Sequence, residues 1–170
     1  MSKFKYTDEN EKEFQRLLKK YPNSDAMMLP GLWLVQEQEG WVSPDAMIFM
    51  ADRLGKSPVE VHSFATFYTM FNLKPIGTYH IELCKTLSCM LMGAHELKKF
   101  IKETIGIEPG QTSEDGKFHF SEVECQGACG GAPMIALNNE YHEKMSVEKL
   151  KNIIQECKNE CWWYDSKNRK

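Results

Sequence analysis

The chain has 170 residues, a net charge of −3 and 42% hydrophobic residues. At that length folding buries about 70% of the surface the unfolded chain exposes, enough for one ample domain or two small ones without help from a metal. Acids and bases are interspersed and no basic stripe accompanies the aromatics, which argues against nucleic acid; no apolar run approaches the roughly 18 residues of a membrane span.

Taken in order, Asp8 with Glu11 predicts a capped helix whose Phe14, Leu17 and Leu18 share one face, ending near Tyr21-Pro22. Ser24 or Asp25 is expected to start a second, with Met28, Leu32, Leu34 and Val35 inward, a bend at Pro30 and a stop at Gly40. Ser43-Pro44-Asp45 combines a cap, a proline suited to the first helical position and an acid facing the dipole, so Met47, Met50 and Leu54 mark a third helix up to Gly55. Ser57-Pro58-Val59-Glu60 reads as a capping box, followed by Val61, Phe64 and Ala65 and a hydrophobic cluster over 68–71. Residues 1–75 are therefore expected to form a helical bundle.

Lys74-Pro75-Ile76-Gly77 breaks the helical period. Tyr79, Ile81 and Leu83 then alternate with His80 and Glu82, as in a half-buried strand running into Cys84. Leu97, Phe100 and Ile101 predict a helix over 93–104, and Pro109-Gly110 and Asp115-Gly116 punctuate a polar loop. A second strand is expected over 118–123, a hairpin over 133–143 with its turn at Asn138-Asn139, and a last helix opened by Ser146 and carrying Val147, Leu150, Ile153 and Ile154. By pattern alone residues 76–170 form a second, α+β domain.

That domain carries two cysteine pairs, Cys84/Cys89 and Cys125/Cys129, enclosing four and three residues. A thiolate nucleophile needs one activated sulfur, and a redox dithiol usually sits as C-x-x-C, so a thiol oxidoreductase leaves two sulfurs without a role. Four thiolates suit a metal centre, and spacing alone permits either a structural Zn(Cys)4 module or an iron-sulfur cluster. In a 2Fe-2S rhomb each iron takes two protein thiolates, so Cys84 and Cys89 would serve one iron and Cys125 and Cys129 the other. Gly127, Gly130 and Gly131 crowd the second loop, where missing side chains let backbone amides approach sulfur, although making turns is their plainer role.

Cys157 and Cys161 form a further pair, four apart on one face of the final helix; a helical stretch without glycine favours packing or partner contact over ligation. The tail Trp162-Trp163-Tyr164 is equally suited to packing back or to anchoring a partner. Met90 and Met92 flank a proposed ligand and are expected to keep water from it, not to bind metal. The histidines are scattered, with no Cys-x-His pair of a Rieske arrangement. Six cysteines with no charged-then-apolar leader lead to the expectation of a reducing, cytoplasmic location. The chain contains no G-x-G-x-x-G or P-loop, so it is not expected to bind NADH or flavin itself.

The order C-x4-C, Met90-Leu91-Met92-Gly93, Ile105-Gly106-Ile107-Glu108-Pro109-Gly110, Asp115-Gly116-Lys117-Phe118, Val123-Glu124-Cys125-Gln126-Gly127-Ala128-Cys129 and Ala132-Pro133 resembles the thioredoxin-like 2Fe-2S subunit of NADH:quinone oxidoreductase. Gly40-Trp41-Val42-Ser43 and 65–71 are similar to that family's N-terminal helical part. Related subunits of NAD-linked hydrogenases and formate dehydrogenases share the pattern. The resemblance implies a thioredoxin-like domain after the bundle, and one 2Fe-2S cluster on Cys84, Cys89, Cys125 and Cys129. It also implies an adjacent subunit that binds FMN and NADH, further iron-sulfur subunits, and attachment to the inner face of the cell membrane only through the complex.

Overall fold

The computed structural model describes residues 3–159, and the chain divides into two compact units, Met1–Ile76 and Gly77–Lys170. The first is all helical: α1 (Asp8–Lys20), a 3-10 turn (Asp25–Met27), α2 (Met28–Glu39), α3 (Pro44–Leu54) and α4 (Pro58–Phe67). Three of the four starts follow local capping chemistry. Thr7, not Asp8, caps α1 by accepting from the Asn10 N–H, and this leaves Glu11 free to pair with Arg53 at 2.6 Å. Ser43 accepts from Ala46 N, and Ser57 and Glu60 form the expected reciprocal box. The 3-10 turn is capped by neither Ser24 nor Asp25: Asn23 Oδ1 accepts from Ala26 N at 3.0 Å, and Asp25 pairs with Lys56.

Pro30 lies in the first turn of α2, where its missing donor has no helical acceptor to lose, so the expected bend has no cause there. Phe14, Met27, Leu32, Met50 and Val61 fill the core, and Arg53 lies over the Phe14 ring, 4.8 Å from its centre. Phe64 departs from the expected inward face. Val61 and Ala65, one turn apart, take the core, while Phe64 is 40% exposed and stacks on Tyr68 at 6.3 Å. Phe67 and Met70 are more exposed still, so the cluster over 68–71 is only partly interior.

The second unit runs β1 (Tyr79–Cys84), α5 (Leu87–Leu91), α6 (Ala94–Ile105), β2 (Gln111–Thr112), β3 (Phe118–Val123), a 3-10 turn (Cys129–Gly131), β4 (Ile135–Leu137), β5 (Glu140–His142) and α7 (Val147–Asn159). Its five-stranded sheet has the order β2-β3-β1-β4-β5; β1 and β3 are parallel, and the other pairings are antiparallel. Parallel neighbours need a crossover, and α5 and α6 supply it. Asn138 and Asn139 both have positive φ, the conformation of a two-residue hairpin turn between β4 and β5. Ser146 caps α7 by accepting from Lys149 N. The architecture is α+β, as the pattern predicts, with α5 and β2 as additions.

Alternation in the strands separates two faces. Tyr79, Ile81 and Leu83 with Phe118 and Phe120 pack into one core with Leu97 and Ile101 of α6 and Leu150 and Ile154 of α7. The opposite face places His80 beside His119, ring centres 4.9 Å apart, with His80 Nε2 2.9 Å from Ser121 Oγ. Burial, and secondarily the neighbouring His119, pushes the His80 imidazole down to about 4.

The folded protein thus binds fewer protons than the unfolded chain between the ordinary histidine value of about 6.5 and 4, and stability falls as pH drops through that window. A His80→Gln protein is expected to show a shallower loss of unfolding free energy from pH 6.5 to 4.5 than wild type, by up to about 1.4 kcal/mol per pH unit. Denaturant titration at several pH values reads this directly, and parallel curves would contradict it.

Candidate metal centre

Parallel pairing of β1 and β3 places both strands' C-terminal ends at one edge of the sheet. Cys84, the last residue of β1, is the register partner of Val123, and Cys125 follows two residues later. The backbone fastens this junction: Lys85 N donates to Val123 O at 3.0 Å. Two loops distant in sequence therefore deliver cysteines to one place. Cys89 sits within the short helix α5, and Cys129 opens the 3-10 turn. The expectation of purely loop-borne ligands is corrected accordingly, because a single helical turn after each strand is what folds the second cysteine of each pair back towards the first.

Cys84 and Cys89 are 2% and 1% exposed, whereas Cys125 and Cys129 face solvent. The Cys125 and Cys129 sulfurs lie 3.4 Å apart, and Cys84 interacts with Cys89. The two pairs also feel each other: Cys84 acts on both Cys125 and Cys129, and Cys129 on Cys89. All four predicted ligands are thus brought together. No three His, Cys, Asp or Glu side chains among the described residues stand as a single-ion site would require. A binuclear rhomb would take two sulfurs at each iron, and a zinc tetrahedron all four sulfurs at one ion.

Each pair contains one sulfur biased towards thiolate. Burial pushes the Cys84 thiol up, but hydrogen bonds from the Thr86 side chain and backbone, Cys89 and the Gln126 backbone prevail and its net shift is downward. The Gly127 N–H, 3.4 Å from its sulfur, holds Cys125 below the ordinary thiol value, helped by Cys129. Burial raises Cys89, and the Cys125 neighbour raises Cys129.

Of the three glycines singled out, Gly127 serves the site directly. Its φ of +82° turns its N–H towards Cys125, a backbone state that other residues reach only with strain. Gly131 instead makes room for Glu143, into which a Cβ would collide, and a Cβ on Gly130 would meet open space.

Met90 and Met92 are 45% and 61% exposed, so within this chain they do not seal the site as expected; Met134, buried in the core cluster that includes Cys84 and Cys89, meets the pair through its backbone, its carbonyl accepting from Cys84 N at 3.5 Å and its N–H acting on Cys89. Leu87 and Leu91 of α5 are 74% and 77% exposed and extend the apolar surface around the sulfurs. Cys157 lies in α7, buried in the same core cluster as Cys84 and Cys89, while Cys161 and Trp162-Trp163-Tyr164 lie outside the described residues. Thr86, Ser88, Gln126 and Met134 are site residues that sequence reasoning misses; the hydroxyl residues spaced between Cys84 and Cys89 are the available signal.

A sheet with helices gathers four thiols at the end of a parallel strand pair with amide and hydroxyl donors around them, the donor chemistry of a thiol-rich candidate metal site. Residues 14–158 match the family described as thioredoxin-like [2Fe-2S] ferredoxin, and the chain belongs to that family.

Among curated proteins, it is 36% identical over 163 residues to a subunit of the NADH-quinone oxidoreductase of Rickettsia conorii, covering 94% of this chain and 98% of that one. It is 41% identical over 154 residues to the corresponding NADH-quinone oxidoreductase subunit of Rhizobium meliloti, covering 89% of this chain and 56% of that one. A NAD+-reducing [NiFe]-hydrogenase in its H2-reduced state shares the fold with a TM-score of 0.71 at 19% identity, over 78% of this chain and 22% of the hydrogenase chain. The cofactor assigned by the family is one 2Fe-2S cluster, and the all-sulfur donor set fits it.

Proposed function

We propose that this chain is the one-electron carrier subunit of an NADH:quinone oxidoreductase, with Cys84 and Cys89 holding one iron of its cluster and Cys125 and Cys129 the other. The observation that carries the ligand set is the convergence of four cysteines, from two separate segments, at the end of β1 and β3. The complex is supported by the near full-length similarity to the Rickettsia NADH-quinone oxidoreductase subunit. Bound there, a 2Fe-2S cluster supplies a site that takes and returns single electrons. The chain fixes the cysteines and directs the Met134 and Gly127 N–H groups at sulfur.

The immediate partner in this reading is a subunit that binds FMN and NADH, with the cluster close to the flavin and other iron-sulfur subunits leading on to quinone. The exposed Leu87, Met90, Leu91 and Met92 beside the sulfurs give a partner apolar area at the place where electron transfer needs close approach. The helical unit is a second docking element, and the exposed Val59 and Phe67 of α4 suit that role. No helix among the described residues is long and apolar enough to cross a membrane, so attachment to the inner membrane face runs through the partners.

The test is reconstitution. NADH should leave the visible bands of the isolated cluster-bearing chain unchanged and bleach them once the flavin subunit of the same complex is added. Bleaching by NADH without flavoprotein, or none with it, would contradict the assignment. Coupling to a hydrogenase flavoprotein instead would transfer the chain to that NAD-linked complex.

A further inference from the structure

Thr86 occupies the cap position of α5, where threonine ordinarily accepts a hydrogen bond from the helix backbone, yet it makes no such bond. Its hydroxyl oxygen lies 3.2 Å from the Cys84 sulfur and also interacts with the Cys125 sulfur, so one hydroxyl stands between the two cysteine pairs. Ser88, two residues on, interacts through its hydroxyl with Cys129. Each hydroxyl thus reaches a sulfur of the other cysteine segment.

Resting on the ligand reading above, we infer that Thr86 and Ser88 are positioning residues that raise the reduction potential of the cluster by donating hydrogen bonds to its cysteine sulfurs. A deprotonated sulfur has no proton to give, so the direction of the bond is settled as O–H to S. The added electron of the reduced state increases the negative charge on the sulfurs, and a hydrogen bond to a more negative acceptor is the stronger one. The donors therefore favour the reduced over the oxidised state, in keeping with the general dependence of cluster potentials on hydrogen bonds to sulfur. Because Thr86 does not cap its helix, removing the hydroxyl has little structural cost through the backbone.

The experiment is a potentiometric titration of wild-type, Thr86→Val, Thr86→Ser and Ser88→Ala proteins, each loaded anaerobically with iron and sulfide, using dithionite as the one-electron source and following visible absorbance and the reduced-state EPR signal. Thr86→Val should shift the midpoint to more negative potential, with the reduced-to-oxidised ratio at a fixed poise falling about tenfold, or about 59 mV for one electron. Thr86→Ser should restore the wild-type value, and Ser88→Ala should move in the same direction as Thr86→Val.

A Thr86→Val protein that keeps its cluster and titrates with wild type overturns the inference while leaving the ligand reading intact. If Thr86→Val holds no cluster, Ser88→Ala decides, and an unshifted midpoint there overturns the inference equally. A wild-type protein that assembles no cluster overturns the ligand reading and this inference together.

Discussion

Serine at Cys125 is expected to strip most of the iron and sulfide from the protein, weakening or shifting its visible bands, whereas serine at Cys157 leaves them in place. The contrast follows from position, since both substitutions exchange sulfur for oxygen. Cys125 stands 3.4 Å from Cys129, with the Gly127 N–H directed at its sulfur. A serine hydroxyl there is a harder ligand that ionises far less readily. Cys84 and Cys89 should behave like Cys125, with the added cost of a buried hydroxyl in an apolar wall. Cys157 lies within the α7 core, so its replacement by serine costs stability, about 1 to 3 kcal/mol, and not cluster. Iron and sulfide assays on anaerobically purified variants, beside their spectra, check the pair. Loss of iron from Cys157→Ser with retention in Cys125→Ser would reverse the ligand assignment.

Truncating Phe120 should have the largest effect on folding. Phe120 is fully buried, in register with Ile81 of the central strand and within the core that includes Cys84 and Cys89. Phe120→Ala is expected to destabilise its unit by about 3 to 5 kcal/mol, which for a unit of this size lowers its midpoint by roughly 10 °C or more. Since β1–β3 pairing is what brings the two cysteine segments together, the visible bands and the far-ultraviolet signal should be lost at the same reduced temperature. Phe67→Ala, at a side chain 77% exposed, should change stability by less than about 0.5 kcal/mol. A Phe120→Ala midpoint within a few degrees of wild type would mean that this core does not hold the junction.

Capping chemistry and period make most of the fold readable. Ser43-Pro44, the Ser57/Glu60 box, Gly40 and Gly55 bound α2, α3 and α4 where the sequence places their ends, and the alternation from Tyr79 and from Phe118 marks two strands that form as expected. The failures share a cause, which is competition among short-range partners. Asp8 loses the α1 cap to Thr7, and Asn23 takes the role expected of Ser24 or Asp25. The helix α5 spans one turn and turns Leu87 and Leu91 to solvent, so it carries no amphipathic stripe to read. The strand β2 is two exposed residues whose strand character comes from pairing with β3, a tertiary fact that no local pattern encodes.

The site divides in the same way. Cysteine number and spacing offer the four sulfurs as candidates, but spacing does not say that they meet. The parallel register Cys84↔Val123 does that, because it sets the end of one ligand segment beside the start of the other. Met134 is not legible, since it looks like any core residue until the strands pair, and Thr86 shows only as a hydroxyl spaced between two cysteines, a signal it shares with any cap.

The metal content of the protein purified without air is the most direct test, with iron, acid-labile sulfide and zinc assayed on the sample whose visible spectrum is recorded. About two irons and two sulfides per chain, with charge-transfer bands that dithionite bleaches, is the expected result. A colourless protein holding one zinc, which then fails to take up iron and sulfide under anaerobic reconstitution, would contradict it and leave Cys84, Cys89, Cys125 and Cys129 as a structural zinc module.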